Sequence, residues 1–108
     1  MTAITIYRSG REYKRLTCNG HAGFAAYGKD IVCASVSCLV INTVNSLDEL
    51  VHEKMELDVR QKQGYIDCRF PDGLSSEGRL LMDSLVLGLR NIEESYGRKY
   101  LELKLKEV

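Results

Sequence analysis

Ile31-Val32-Cys33-Ala34-Ser35-Val36-Ser37-Cys38-Leu39-Val40-Ile41-Asn42-Thr43-Val44-Asn45-Ser46-Leu47 is the longest run of the chain without a charged side chain, 17 residues in all. Within it and just beyond, Val32, Val36, Leu39/Val40, Thr43, Leu47 and Leu50/Val51 recur at three- and four-residue steps. That period predicts a helix from Ile31 to about Glu53. A helix with no charge over most of its length lacks an obvious solvated face, so much of its circumference must be covered. It is therefore either the central helix of the domain or a helix with one face on a partner subunit. Ser35, Ser37, Asn42, Thr43, Asn45 and Ser46 interrupt the apolar run, which at 17 residues is marginal for a membrane span.

The flanks alternate instead. Upstream, Ile4 and Ile6 alternate with Thr5 and Tyr7, Ser9-Gly10 supplies a turn, and Leu16 and Cys18 mark a second strand of a hairpin. Downstream, Met55, Leu57 and Val59 mark a third strand, Gln63-Gly64 a turn, and Ile66, Cys68 and Phe70 the inward face of a fourth. Pro71-Asp72-Gly73 is a turn signal. Ser75 or Ser76 can cap a second helix that carries Leu81, Leu85, Leu89 and Ile92 on one stripe, and Gly97 fits its stop. Leu101, Leu103 and Leu105 alternate with Glu102, Lys104 and Lys106 in a last strand. The order β-β-α-β-β-α-β predicts an α+β fold, two helices packed on one mixed or antiparallel five-stranded sheet. The pattern does not order the strands. With 108 residues and 44% hydrophobic side chains, residues 1–108 form one domain that needs no metal or disulfide to make a core.

Fifteen Lys and Arg balance fifteen Asp and Glu. A zero net charge argues against the basic face of a dedicated nucleic-acid binder, so no direct nucleic-acid contact is expected. The first ten residues alternate and include Arg8, unlike a secretory signal, so a cytoplasmic protein without membrane contact is expected. Cys18, Cys33, Cys38 and Cys68 contain no C-x-x-C pair, which leaves free thiols as the default. His52 among Asp48, Glu49, Glu53 and Glu56 lacks ligand spacing and reads as a solvated helix end. No metal and no cofactor are expected. Tyr96 and Tyr100 read as core or interface residues.

The chemically loaded stretch is Gly20-His21-Ala22 followed by Gly28-Lys29-Asp30-Ile31-Val32-Cys33. If Asp30 caps the helix, Cys33 lies in its first turn, where unpaired N–H groups and the helix dipole favour an anion. Such a position can lower a thiol pKa from about 8.5 to about 3.5–7.5, but the Asp30 charge opposes this and a nearby base is needed. His21 is the plausible supplier. It closes the second strand, and a glycine- and alanine-rich loop, read as mobile, returns the chain to Cys33. Nucleophile and base would then meet, with first-turn amides near Ala34 or loop glycines as oxyanion donors and Ser37 one turn further on. On spacing alone, the same residues also read as a core cysteine, a helix cap and a surface histidine.

Gly20-His21-Ala22 with Gly28-x-Asp30-Ile31-Val32-Cys33-Ala34-x-Val36-Ser37 closely resembles the signature of the ribosomal-processing cysteine protease family, Prp, and the likeness spans the chain in length and element order. The resemblance implies a small cysteine endopeptidase that removes an N-terminal extension from large-subunit ribosomal protein twenty-seven during bacterial ribosome assembly. It implies cleavage after paired phenylalanines. By position, Cys33 would be the nucleophile and His21 the base, with Gly20, Asp30 and Ser37 in supporting roles. Ala22, Gly23, Phe24, Tyr27 and Gly28 would belong to a mobile loop that rearranges around substrate. The family is also homodimeric, which would give the uncharged helix a partner. Ser35 and Cys38 stand where alanines are common in the family.

Two other functions fit parts of the pattern. One is a non-catalytic ribosome-associated binding module in which Cys33 only fills space. The other is a thiol redox protein using Cys33 and Cys38, although cysteines five residues apart on a helix project from different faces.

Overall fold

Two apolar rows run across all five strands of the sheet, and they explain its construction. A computed structural model describes residues 2–20, 30–60 and 64–108. Its elements are β1 (Thr2–Ser9), β2 (Glu12–Asn19), α1 (Asp30–Glu49), β3 (Glu56–Arg60), β4 (Tyr65–Arg69), α2 (Ser76–Tyr96) and β5 (Leu101–Glu107). This is the expected α+β order. The strands lie in the order β3-β4-β2-β1-β5. Every pairing is antiparallel except β1 with β5, so the sheet is mixed. A parallel neighbour needs a crossover, and α2 supplies it between β4 and β5.

Register places Leu103, Ile4, Cys18, Ile66 and Val59 side by side, and likewise Leu105, Ile6, Leu16, Cys68 and Leu57. The opposite face carries Lys106, Tyr7, Arg15, Arg69 and Glu56 in one row. One face is apolar and one polar, as a two-residue side-chain period dictates. At the Tyr7/Arg8 step the register shifts, so that Lys14 is an extra residue in β2 and Tyr13 returns to the apolar side. There Tyr13 is buried and its hydroxyl donates to Asp83 of α2.

The helices cover the apolar face. Val32, Val36, Val40, Val44 and Leu47 of α1 pack with Met82, Leu85, Val86 and Leu89 of α2 over Ile4, Ile6, Leu16 and Cys68. Gly88 lets the helices approach, since a Cβ there would lie 3.0 Å from Leu39 Cδ1. Ser75 caps α2, its hydroxyl accepting from the Gly78 N–H at 3.2 Å, and Gly97 ends the helix.

Some expectations are corrected. α1 stops at Glu49 rather than Glu53. The chain then turns, with His52 at φ 62° and the Glu53 N–H donating to the Leu47 carbonyl at 2.8 Å. His52 is therefore beyond the helix, although exposed as expected. Tyr96 is 48% exposed on the described chain rather than core. The stretch 31–49 is long and apolar enough, by composition, to cross a membrane. Here its buried stripe is committed to the core, and its outer face exposes Ser37, Cys38, Ile41, Asn42 and Asn45.

Candidate active site

Of the two arms of the motif, the described residues are Gly20, which follows β2, and Asp30–Cys33, which open α1. β2 ends at Asn19, and Gly20 follows with φ 92°, a left-handed conformation that favours glycine. Its N–H donates to the Gly64 carbonyl at 3.1 Å, which ties the end of β2 to the start of β4. The direction of the chain leaving β2 is thereby set at the residue before His21. The other arm enters α1, whose first residue is Asp30, so the helix begins one position earlier than it would with Asp30 as its flanking cap. Cys33 remains in the first turn. Its side chain is half-buried and packs against the core cluster that contains Cys18.

Electrostatics connects the two arms. Burial pushes the Cys18 thiol up to about 11, and the charge of Cys33 adds to the rise. Cys33 of α1 and Cys18 of β2 are thus near enough to sense one another. Cys68 is pushed up to about 12 by burial, with Asp67 adding to it. Both strand cysteines are therefore protonated, inert core thiols at neutral pH. All four cysteines are free, and Cys38 is exposed while Cys33 faces the core.

His21, Ala22, Gly23, Phe24, Tyr27 and Gly28 lie outside the described residues, as does the side chain of Asp30. Ser37 is exposed one turn beyond Cys33, and it is Ser35 that bonds back along the helix, to the Ile31 carbonyl at 2.7 Å. Among the described residues no cluster of His, Cys, Asp and Glu is placed to hold a metal ion.

Next to the motif lies a cavity of about 340 Å³ between α1 and the β3–β4 hairpin, with Gly20, Ser37, Ile41, Leu57, Val59 and Thr2 in its lining. Sequence reasoning assigned Ser37 and Gly20 to the site but not Ile41, Leu57, Val59 or Thr2. The signal was present only as apolar alternation in β3, which reads equally as an ordinary covered strand. A second hollow, where the β1–β2 turn meets the start of α2, is lined by Arg8, Arg11, Tyr13, Arg79 and Asp83. Two of its charged groups are engaged internally, Arg79 with Glu12 at 3.1 Å and Asp83 with the Tyr13 hydroxyl.

The chain matches the family model described as cysteine protease Prp over residues 1–101. It is 37% identical over 81 residues to the ribosomal processing cysteine protease Prp of Bacillus subtilis, a match covering 71% of this chain and 72% of that one. To the protein of the same name from Staphylococcus aureus it is 32% identical over 78 residues, covering 72% and 74%. Among solved structures, SMU.848 from Streptococcus mutans is similar with a TM-score of 0.89 at 28% identity, covering 100% of this chain and 96% of that one. The essential ribosomal processing protease Prp of S. aureus, solved with a covalently linked product peptide, is similar with a TM-score of 0.87 at 27% identity, covering 98% and 100%.

Proposed function

The chain belongs to the Prp family of cysteine proteases and is a peptidase, and from that premise we propose that it removes the N-terminal extension of large-subunit ribosomal protein twenty-seven during ribosome assembly. It acts in the cytoplasm, as a homodimer, on an extended peptide cut after a Phe-rich motif. The observation that carries this reading is the Gly20-His21…Gly28-x-Asp30-Ile31-Val32-Cys33 signature, with Cys33 in the first turn of α1 at the end of the sheet where β2 leads into His21.

The chemistry is acyl transfer. His21 takes the thiol proton as Cys33 Sγ attacks the scissile carbonyl, and the carbonyl oxygen becomes an oxyanion. N–H groups in the first turn of α1 have no helical partner and can stabilise that charge. His21 then gives its proton to the leaving amine as the C–N bond breaks, which leaves a thioester on Cys33. Water, deprotonated by His21, hydrolyses the thioester and restores the thiol. Gly20 directs the chain into His21, and Asp30 and Ser37 support the two sides of the site. No cofactor enters any step.

Intact-mass measurement on the purified protein and an N-terminally extended ribosomal protein tests this. Wild type should release one defined N-terminal peptide, and Cys33→Ala and His21→Ala should release none, a loss of at least about 1,000-fold in rate. No mass change with folded wild type would leave the binding-module reading. That reading also predicts that Cys33→Ala retains the biological role.

A further inference from the structure

The second hollow gathers cations that the fold leaves unmatched. It lies where the β1–β2 turn meets the start of α2, and its lining sets the guanidinium groups of Arg8, Arg11 and Arg79 against one carboxylate, Asp83. Each carboxylate around it already has a donor. Asp83 accepts from the Tyr13 hydroxyl, Glu12 from Arg79 Nη1 at 3.1 Å, and Glu107 from the Gly10 N–H at 2.6 Å. Among the described residues neither Arg8 nor Arg11 has a carboxylate within ion-pair distance. Arg11 is exposed, and Arg8 is half-buried beside the Tyr13 hydroxyl. Arg79 uses one of its five donors on Glu12. A guanidinium presents those donors as a planar fork that matches phosphate oxygens. The zero net charge of the chain is a balance over 108 residues and does not describe this one hollow.

Position and size narrow the occupant. The hollow and Gly20 lie at opposite ends of β2, whose eight residues at about 3.4 Å each put them about 25 Å apart. It is therefore separate from the peptidase motif. Its volume of about 710 Å³ exceeds what one inorganic phosphate fills. Tyr13, its aromatic lining residue, is 2% exposed, so no ring is offered to a stacking base. We propose that this hollow binds the phosphate backbone of RNA through Arg8, Arg11 and Arg79, without reading bases. The choice of RNA over an acidic protein rests on the ribosome-assembly reading above, in which the neighbour of the substrate is RNA. Phosphate contacts position a protein and carry no sequence information, so salt rather than sequence sets the affinity. RNA held here leaves the motif end of β2 open to the peptide.

Fluorescence anisotropy of a labelled oligouridylate of about twelve nucleotides tests this, since that RNA does not pair with itself. Wild type should bind with a Kd of about 1–100 µM at about 50 mM salt. The logarithm of the binding constant should fall against that of salt with a slope of about −2, as three phosphate contacts require. Arg8→Gln/Arg11→Gln should weaken binding at least about tenfold and flatten the slope by about 1.4. Arg98→Gln/Lys99→Gln removes the same charge outside the hollow and should change binding less than about threefold. Arg11→Gln alone alters an exposed side chain, so it decides the matter if the pair unfolds, and it should weaken binding at least about threefold. No binding by wild type up to about 100 µM protein would overturn the site. Equal losses in the two double variants, or no loss in Arg8→Gln/Arg11→Gln, would do the same. A polyglutamate peptide that binds more tightly than the RNA, and is lost in the same variant, would overturn RNA as the occupant. Release of the N-terminal peptide from free extended ribosomal protein should be unchanged in both double variants. Cleavage without RNA binding removes this site and leaves the peptidase reading intact, and RNA binding without cleavage does the reverse.

Discussion

Asp67 faces the polar side of the sheet with only 11% of its side chain exposed, and Arg15 meets it with two donors, Nε at 2.9 Å and Nη2 at 2.8 Å. Arg15 is itself steadied over the Tyr7 ring, 5.2 Å from its centroid, and Arg69 adds a second charge 3.7 Å from the carboxylate. The hydrogen bonds from Arg15 hold the Asp67 carboxyl below its usual range, against the opposing effect of burial. A carboxyl depressed in the folded state contributes stability above its unfolded pKa of about 3.9 and loses it as pH falls through the lower folded value. Asp67→Asn should therefore cost about 1–2 kcal/mol at pH 7, discounted because Arg15 is partly in solvent. Urea unfolding of both proteins from pH 7 to pH 3 checks this. The gap should stay constant down to about pH 5 and close below about pH 4. A gap that widens in acid would contradict the sign.

At the scale of elements, the end of α1 and the start of α2 are locked by a single carboxylate. Glu53 Oε2 accepts from the Ser75 backbone N–H at 2.8 Å and from the Ser75 hydroxyl at 3.1 Å, while Ser75 caps α2. Gly78 makes room for it, since a Cβ there would fall 2.0 Å from that oxygen. Gly78→Ala should gain about 1 kcal/mol of helix propensity and lose about 1.5–3 kcal/mol of charge-assisted hydrogen bonding, for a net loss of about 1 kcal/mol. Thermal melts of Gly78→Ala alone and with Glu53→Ala separate the terms, because in the double variant the added methyl should stabilise. This junction also shows what sequence could and could not reveal. Ser75, Pro71-Asp72-Gly73 and Gly97 were legible because caps and turns are local chemistry. The early end of α1 was not, because Leu50 and Val51 keep the helical period although Leu50 is 75% exposed. What ends the helix is the left-handed His52 and the reach of Glu53 back to Leu47, neither of which leaves a pattern in the letters. The candidate site divides in the same way. Cys33, the proposed nucleophile, stands out in the sequence through the motif and the helix start, whereas Ile41, Leu57, Val59 and Thr2 come together only through strand order.

For the whole molecule, the decisive fact is that among the described residues two helices are laid on five strands and leave β3 uncovered. Among the exposed large apolar side chains of the described residues, two groups have different locations. Ile41, Leu57 and Val59 surround the cavity beside the motif, while Leu80 and Leu87 of α2, 69% and 63% exposed, are not in its lining. The latter two are seven residues apart and share one face of α2. A homodimer that leaves the cavity beside the motif open would use α2 rather than the outer face of α1. In a two-fold interface each leucine is buried twice, and burial of a leucine is worth about 1.5–3 kcal/mol. Leu80→Glu/Leu87→Glu removes four such contributions and places four carboxylates near the axis, so the dissociation constant should rise at least about 100-fold. Sedimentation equilibrium should give twice the chain mass for wild type and the single-chain mass for the double variant. A wild type that sediments as a single chain at concentrations where it cleaves would remove the dimer. A double variant that stays dimeric would move the interface off α2 and leave the outer face of α1 to serve the partner.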